Sequence, residues 1–212
     1  MAVYERKDAA YRRAKEEGYR SRAAYKLVEL DQHFGLLRPG LRVVDLGCWP
    51  GAWTQVAAGK VGASGRVVGV DLVATEDLGV PQATTIAGDV YDPDVRDRVS
   101  QALGGPADVV LADLSPKLSG VAAADAARHA ALVEAAIAAS RRWLAPDGTL
   151  LVKLFMDAEY EALVKRLRAG FAAVKTRRPP STRKGSAEIY ALARGPRPQP
   201  ADDGATSGVA PG

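Results

Sequence analysis

The chain has 212 residues, 47% apolar and 25% charged, with a formal net charge of +4. That length suits one globular domain with a sizeable core, and the small positive excess points to an anionic partner only where it is clustered. A single cysteine excludes an intramolecular disulfide, and with two histidines a cysteine or histidine metal cluster is not expected.

The first 20 residues carry Arg6, Lys7, Arg12, Arg13, Lys15 and Arg20 against Glu5, Asp8, Glu16 and Glu17, with Tyr4, Tyr11 and Tyr19 among them. No signal-peptide apolar run is present there, and no stretch approaches the roughly 20 apolar residues of a membrane span. A cytoplasmic protein free of membrane and metal is expected. Residues 1–20 read either as a solvated terminus or as an arm that contacts RNA. Ser21-Arg22-Ala23-Ala24-Tyr25-Lys26-Leu27 opens a helix. Ser21 suits the N-cap, Ala24, Leu27, Val28 and Leu30 supply an apolar face, and Gly35 suits the stop. Lys26 sits beside that face, where a lysine ordinarily snorkels to water.

Leu41 to Leu46 reads as a buried strand, and Thr54 to Val61 as a helix. Between them lies Asp45-Leu46-Gly47-Cys48-Trp49-Pro50-Gly51-Ala52-Trp53. A strand, a glycine-bearing turn and a helix make a nucleotide-type loop, because small residues let a ligand approach the backbone at a helix N-terminus. The spacing departs from the dinucleotide pattern G-x-G-x-x-G: its middle glycine, which admits a pyrophosphate, falls at Trp49. A bulky residue there suits a cofactor with an adenosine, an amino acid and no phosphate, which points to S-adenosylmethionine (SAM).

Alternation then continues. Arg66 to Asp71, Ala83 to Ala87, Asp108 to Ala112 and Thr149 to Leu154 read as strands. Pro93 to Leu103, Ala122 to Leu144 and Glu159 to Arg168 read as helices. Phe171 to Lys175 and Glu188 to Ala193 are two final strands with no helix between them, which predicts an antiparallel finish. The fold class is α/β, a mostly parallel sheet with helices on both faces. The domain is expected over 21–194, after an arm over 1–20 and before a disordered Pro- and Gly-rich tail over 195–212.

Ligands bind beyond the carboxyl ends of the strands in such sheets. Strand one ends at Asp45 and strand two at Asp71, 26 positions later, near where an acid meets ribose hydroxyls. A carboxylate accepts two hydrogen bonds from a vicinal diol. Asp89 follows strand three and could accept from an adenine amino group; Asp113 follows strand four. Lys153 lies inside Leu150-Leu151-Val152-Lys153-Leu154-Phe155, where an unpaired ammonium is expensive. Asp113 and Glu188 are its candidate partners. From Ala162 to Ala187 there is no acid but there are eight cations, among them Arg177, Arg178, Arg183 and Lys184 in a Pro-containing loop. Such clustering attracts phosphate backbones.

These residues together resemble the FtsJ-like (RrmJ-type, RlmE) ribosomal RNA large-subunit 2′-O-methyltransferases. The resemblance covers about Ser21 to Ala193 and rests on Ser21–Leu27, Asp45–Trp53, Asp113-Leu114-Ser115-Pro116, Lys153 in Val-Lys-Leu-Phe and Glu188 in Ser-Ala-Glu-Ile-Tyr. Trp49 is bulkier than the family pattern, and Leu114 replaces a usual methionine. The resemblance implies a Rossmann-like SAM-dependent methyltransferase with seven strands, acting as a monomer on a uridine ribose of large-subunit (23S) RNA, on the assembled or assembling subunit. It implies Gly47, Gly51 and Trp53 as cofactor-loop contacts with Asp45 beside them, Asp71 as the ribose acid, Asp89 as the adenine-side acid and Asp113 next to the methionine part. Lys153 would be the principal catalytic residue, in a tetrad with Lys26, Asp113 and Glu188. Lys26, Arg177, Arg178, Arg183 and Lys184 would meet RNA. Acidic neighbours favour a charged lysine, so Lys153 is read as stabilising a developing alkoxide, with a base role as the alternative. A methyltransferase for another RNA, such as transfer RNA, and a SAM-binding ribosome-assembly module without catalysis are the competing readings.

Overall fold

The computed structural model describes residues 9–117, 119–183 and 185–198. Seven strands form one sheet: β1 (Arg42–Leu46), β2 (Arg66–Asp71), β3 (Ala83–Ala87), β4 (Ala107–Ala112), β5 (Leu144–Phe155), β6 (Phe171–Arg177) and β7 (Glu188–Pro196). Six helices accompany them: α1 (Ala9–Glu16), α2 (Ala23–Phe34), α3 (Ala52–Val61), α4 (Pro93–Leu103), α5 (Ala122–Trp143) and α6 (Tyr160–Gly170). The strand order is β3-β2-β1-β4-β5-β7-β6, with β7 alone antiparallel to its neighbours β5 and β6.

Central strands are apolar along their whole length because both faces are covered. One side packs Val44, Val68, Val110 and Leu150 against α4, α5 and α6. The other packs Val43, Val67, Leu111, Leu151 and Tyr190 against α2 and α3. In α4, Val95, Val99 and Leu103 are buried four residues apart, giving one inward stripe. The Asp92 side chain accepts from the Asp94 N–H at its start, Pro93 opens it, and Gly104 closes it in the left-handed region.

Local expectations shift in five places. The helix expected from Thr54 begins at Ala52, which brings Trp53 into its first turn. The α2 helix begins at Ala23 after Arg22, and Ser21 Oγ accepts the Ala23 N–H from one step further out. Leu144 to Gly148 is the entry of β5, with a register shift against β4, and not a break after α5. Part of the N-terminal segment is folded: α1 buries Ala14, Arg13 lies over the Tyr25 ring at 4.2 Å, and the Gln55 amide reaches Gly18 O at 2.8 Å. β7 runs through Gly195 to Pro196, two residues into the segment expected as tail. Residues 1–8 and 199–212 lie outside the described residues, as does Lys184. Among the described residues no helix is long and apolar enough to cross a membrane.

Gly69 shows how tightly the loop after β1 is seated. It pairs with Asp45, and a Cβ there would stand 2.9 Å from Cys48 Sγ and from Thr54 Oγ1. Gly69→Ala should therefore destabilise the fold by about 1–3 kcal/mol through overpacking. Chemical denaturation that leaves the midpoint unchanged would contradict this seating.

Candidate active site

The sheet order reverses direction at β1 and β4, and the crevice between their ends is where a doubly wound sheet takes its ligand. Gly47 and Gly51, in the loop after β1, have φ of 76° and 104°. A Cβ on Gly47 would stand 2.6 Å from Leu114 Cδ2, so the chain passes under Leu114 in a conformation that favours glycine. Asp71 accepts the Trp49 N–H at 3.0 Å and the Val73 N–H at 2.9 Å, tying the loop to the end of β2. Asp89 accepts the Tyr91 N–H at 2.9 Å.

A cavity of about 560 Å³ opens between this loop, the ends of β2 and β3, and α5. Gly47, Asp71 and Asp89 line it, together with the exposed Trp49, Leu72 and Tyr91 and with Leu114 and Ser115. Its size is that of a small-molecule site. Two carboxylates and no cation line it, so charge disfavours a diphosphate and suits a ligand that is cationic or neutral with hydroxyl and amino donors. SAM, with a ribose diol, an adenine amino group and a sulfonium, fits that donor set.

Four expected cofactor residues lie outside the lining of this cavity. Asp45 is 1% exposed beneath the loop, with Oδ2 accepting the Thr54 hydroxyl at 2.6 Å and Oδ1 without a partner. Burial pushes its carboxyl up to about 7; the Thr54 hydrogen bond opposes this, and the negative charges of Asp113 and Asp71 add to it. Trp53 turns its indole away from the cavity, donates to Ala23 O at 2.9 Å and packs against Tyr190. Only its backbone N–H, among the first of α3 and so without an intrahelical acceptor, is left to the loop side. Gly51 lies under Leu78 and Thr75, outside the cavity lining. Asp113 also stands outside that lining and turns its carboxylate to a lysine.

That lysine is Lys153, 3% exposed. Its Nζ meets Asp113 Oδ1 at 3.0 Å and Asp113 O at 3.2 Å, and it donates to Ser115 Oγ. The Tyr190 hydroxyl donates to the same Asp113 Oδ1 at 2.8 Å. Burial, with the charges of Asp113 and Glu188, pushes the Tyr190 phenol well above its ordinary range, so it stays a donor. Glu188 does not pair with Lys153; it stands opposite Phe155 in the β5–β7 register and binds Lys26 Nζ at 2.7 Å. Lys26 in turn sits 6.0 Å over the Tyr190 ring. The four charged residues thus form two ion pairs with Tyr190 between them. The Lys153 pair adjoins the cavity through Leu114 and Ser115.

The cationic loop is held beside this cluster. The Ser181 N–H and hydroxyl donate to Glu29 of α2 at 2.9 and 2.7 Å, one turn from Lys26. Arg177, expected in this loop, instead ends β6 opposite Tyr190; it, Arg178 and Arg183 are exposed, with Arg178 donating to Ser186 O.

Residues 19–196 match the family model of the FtsJ-like methyltransferases. The chain belongs to that family. It is 46% identical over 187 residues to the ribosomal RNA large subunit methyltransferase E of Acidithiobacillus ferrooxidans, covering 88% of this chain and 84% of that one. Among solved structures it is similar to a ribosomal RNA methyltransferase of Plasmodium falciparum, with a TM-score of 0.73 at 26% identity over 84% of this chain and 98% of that one. The fibrillarin of Aeropyrum pernix with bound S-adenosyl-L-methionine shares the fold, with a TM-score of 0.53 at 18% identity over 82% of this chain and 75% of that one.

In this FtsJ-like chain, Ser115, Tyr190 and Glu29 are the contributors that motif reading passes over. Tyr190 carried one usable signal: it stands two residues after Glu188, on the same face of a strand.

The Asp45 carboxyl offers a pH test. Its folded-state value is raised from 3.8 to about 7, so between those values the folded chain holds a proton that the unfolded chain releases. Its contribution is therefore lost as pH rises from about 4 to 7. Asp45→Asn should gain stability relative to the parent as pH increases across that window. A difference between the two denaturation free energies that stays flat from pH 4 to 8 would sink this.

Proposed function

We propose that the protein transfers the methyl group of SAM to a ribose 2′-hydroxyl of large-subunit ribosomal RNA, at a uridine, on the assembled or assembling subunit. The observation that carries this is the Lys153–Asp113 pair, with Lys153 buried, beside a cavity whose acceptors suit the hydroxyl and amino donors of SAM. The printed name of the 46%-identical relative supports the RNA class, and the resemblance of the tetrad motifs supports the ribose oxygen and the uridine.

Asp71 and Asp89 would hold the ribose and adenine of the cofactor, with Gly47 and the N–H groups of the α3 start along its amino-acid end. SAM supplies an electrophilic methyl on sulfur and leaves as S-adenosylhomocysteine. A ribose hydroxyl is a weak nucleophile at neutral pH, so in-line positioning supplies much of the rate. Lys153 is fixed by two acceptor-only oxygens of Asp113, so its Nζ donates to both. Such an ammonium would stabilise the developing alkoxide as the hydroxyl proton passes to solvent and the oxygen takes the methyl from sulfur. Lys26, with 12% of its side chain exposed, and the exposed Arg177 and Arg178 would take phosphates, which orient RNA without reading its sequence.

Labelled SAM offered with naked ribosomal RNA and with subunits lacking the modification tests the whole reading. Label should enter RNA in an alkali-resistant linkage and vanish with Lys153→Ala. In the parent, no rising limb of the pH–rate profile should move with Lys153 substitution; one that does assigns Lys153 as base. SAM binding without label in either substrate would favour another RNA or a module without catalysis. Arg177→Ala with Arg178→Ala should lower the salt slope of RNA affinity by roughly one to two units. An unchanged slope removes that loop from the interface.

A further inference from the structure

We infer that Trp49 and Tyr91 are the two aromatic walls between which the adenosine of the cofactor lies. The inference rests on the SAM reading above.

Trp49 is 57% exposed, whereas Trp53 and Trp143 are 3% and 4% exposed. Leu72 at 75% and Tyr91 at 62% are the other large apolar side chains at the same mouth. Exposed apolar surface gathered round one concave opening, rimmed by polar groups, marks a binding site. The backbone from which each aromatic projects is held at the mouth. The Trp49 N–H is fixed on Asp71, and the Tyr91 N–H on Asp89. Each aromatic thus springs from backbone bonded to one of the two acids inside the cavity.

A ligand that satisfies this arrangement needs a flat apolar face to lie against the rings. It also needs hydroxyl or amino donors that reach a carboxylate on each side. An adenine nucleoside has both. A nucleotide polyphosphate has the face but brings negative charge to two carboxylates. The indole occupies the position where a dinucleotide loop keeps glycine for its pyrophosphate. It therefore closes the route a phosphate would take and adds contact area for the nucleoside.

The test reads binding and not turnover. With Trp53 and Trp143 buried, acrylamide quenching of the full-length protein reports chiefly on Trp49. Saturating SAM or S-adenosylhomocysteine should shield it and shift its emission to the blue. In calorimetry, Trp49→Ala should weaken both ligands by about tenfold, the scale of one lost base–aromatic stack. Trp49→Phe should stay within about threefold of the parent, and both variants should keep its melting temperature and RNA affinity. Equal ligand affinity in the parent and Trp49→Ala, or acrylamide access unchanged by ligand, overturns the inference while leaving the SAM reading intact. Loss of RNA affinity with SAM affinity kept would assign the indole to RNA and overturn it equally. A parent chain that binds neither ligand brings down both readings.

Discussion

An ammonium buried in the middle of the sheet is the constraint around which the rest is arranged. Lys153 is 3% exposed in the second half of β5, where Leu150 to Phe155 is otherwise leucine, valine and phenylalanine. Taking a charge out of water costs several kcal/mol, which a partner offsets only with good geometry and further hydrogen bonds. Here Asp113 supplies a carboxylate and a carbonyl, Ser115 a hydroxyl, and Tyr190 steadies the carboxylate from the other side. Each of those groups must sit at the end of a particular strand, so the charge dictates which strands are neighbours as much as the apolar core does.

The second ion pair has a different character. Lys26 and Glu188 keep 12% and 19% of their side chains exposed and join α2 to the first residue of β7. Glu29 joins the same helix to the loop between β6 and β7 through Ser181. The same helix therefore holds both the outer charge pair and the loop after β6.

Much of this could be read from the chain alone, and the failures have plain causes. A lysine inside Leu-Leu-Val-Lys-Leu-Phe stands out because apolar runs rarely tolerate one, and acids at strand ends stand out because the apolar pattern stops there. Which acid meets which lysine is another matter. Glu188 faces Phe155 and Tyr190 faces Lys153 because of the antiparallel register, and no local pattern encodes a register between strands 35 positions apart. The α3 helix begins two residues earlier than the apolar pattern suggests, which puts Trp53 in its first turn and turns the indole to α2. Asp45 and Asp71 are alike in sequence, each an acid at the end of a strand. The end of β1 aims the first beneath its own loop and leaves the second at the cavity. The folded α1 was hidden by mixed charge, since Arg13 packs through its guanidinium on an aromatic ring.

The reversed strand has a consequence for the order in which the protein comes into being. β6 has no partner in the sheet except β7, and β7 alone connects it to β5. A chain emerging from its N-terminus can close β1 to β5 around the cofactor cavity early. It cannot bring Tyr190 to Asp113, or Glu188 to Lys26, until the last hairpin docks. The cavity and the Lys153–Asp113 pair therefore belong to the part of the chain made first, and the last hairpin adds Tyr190 and the Lys26–Glu188 pair around them.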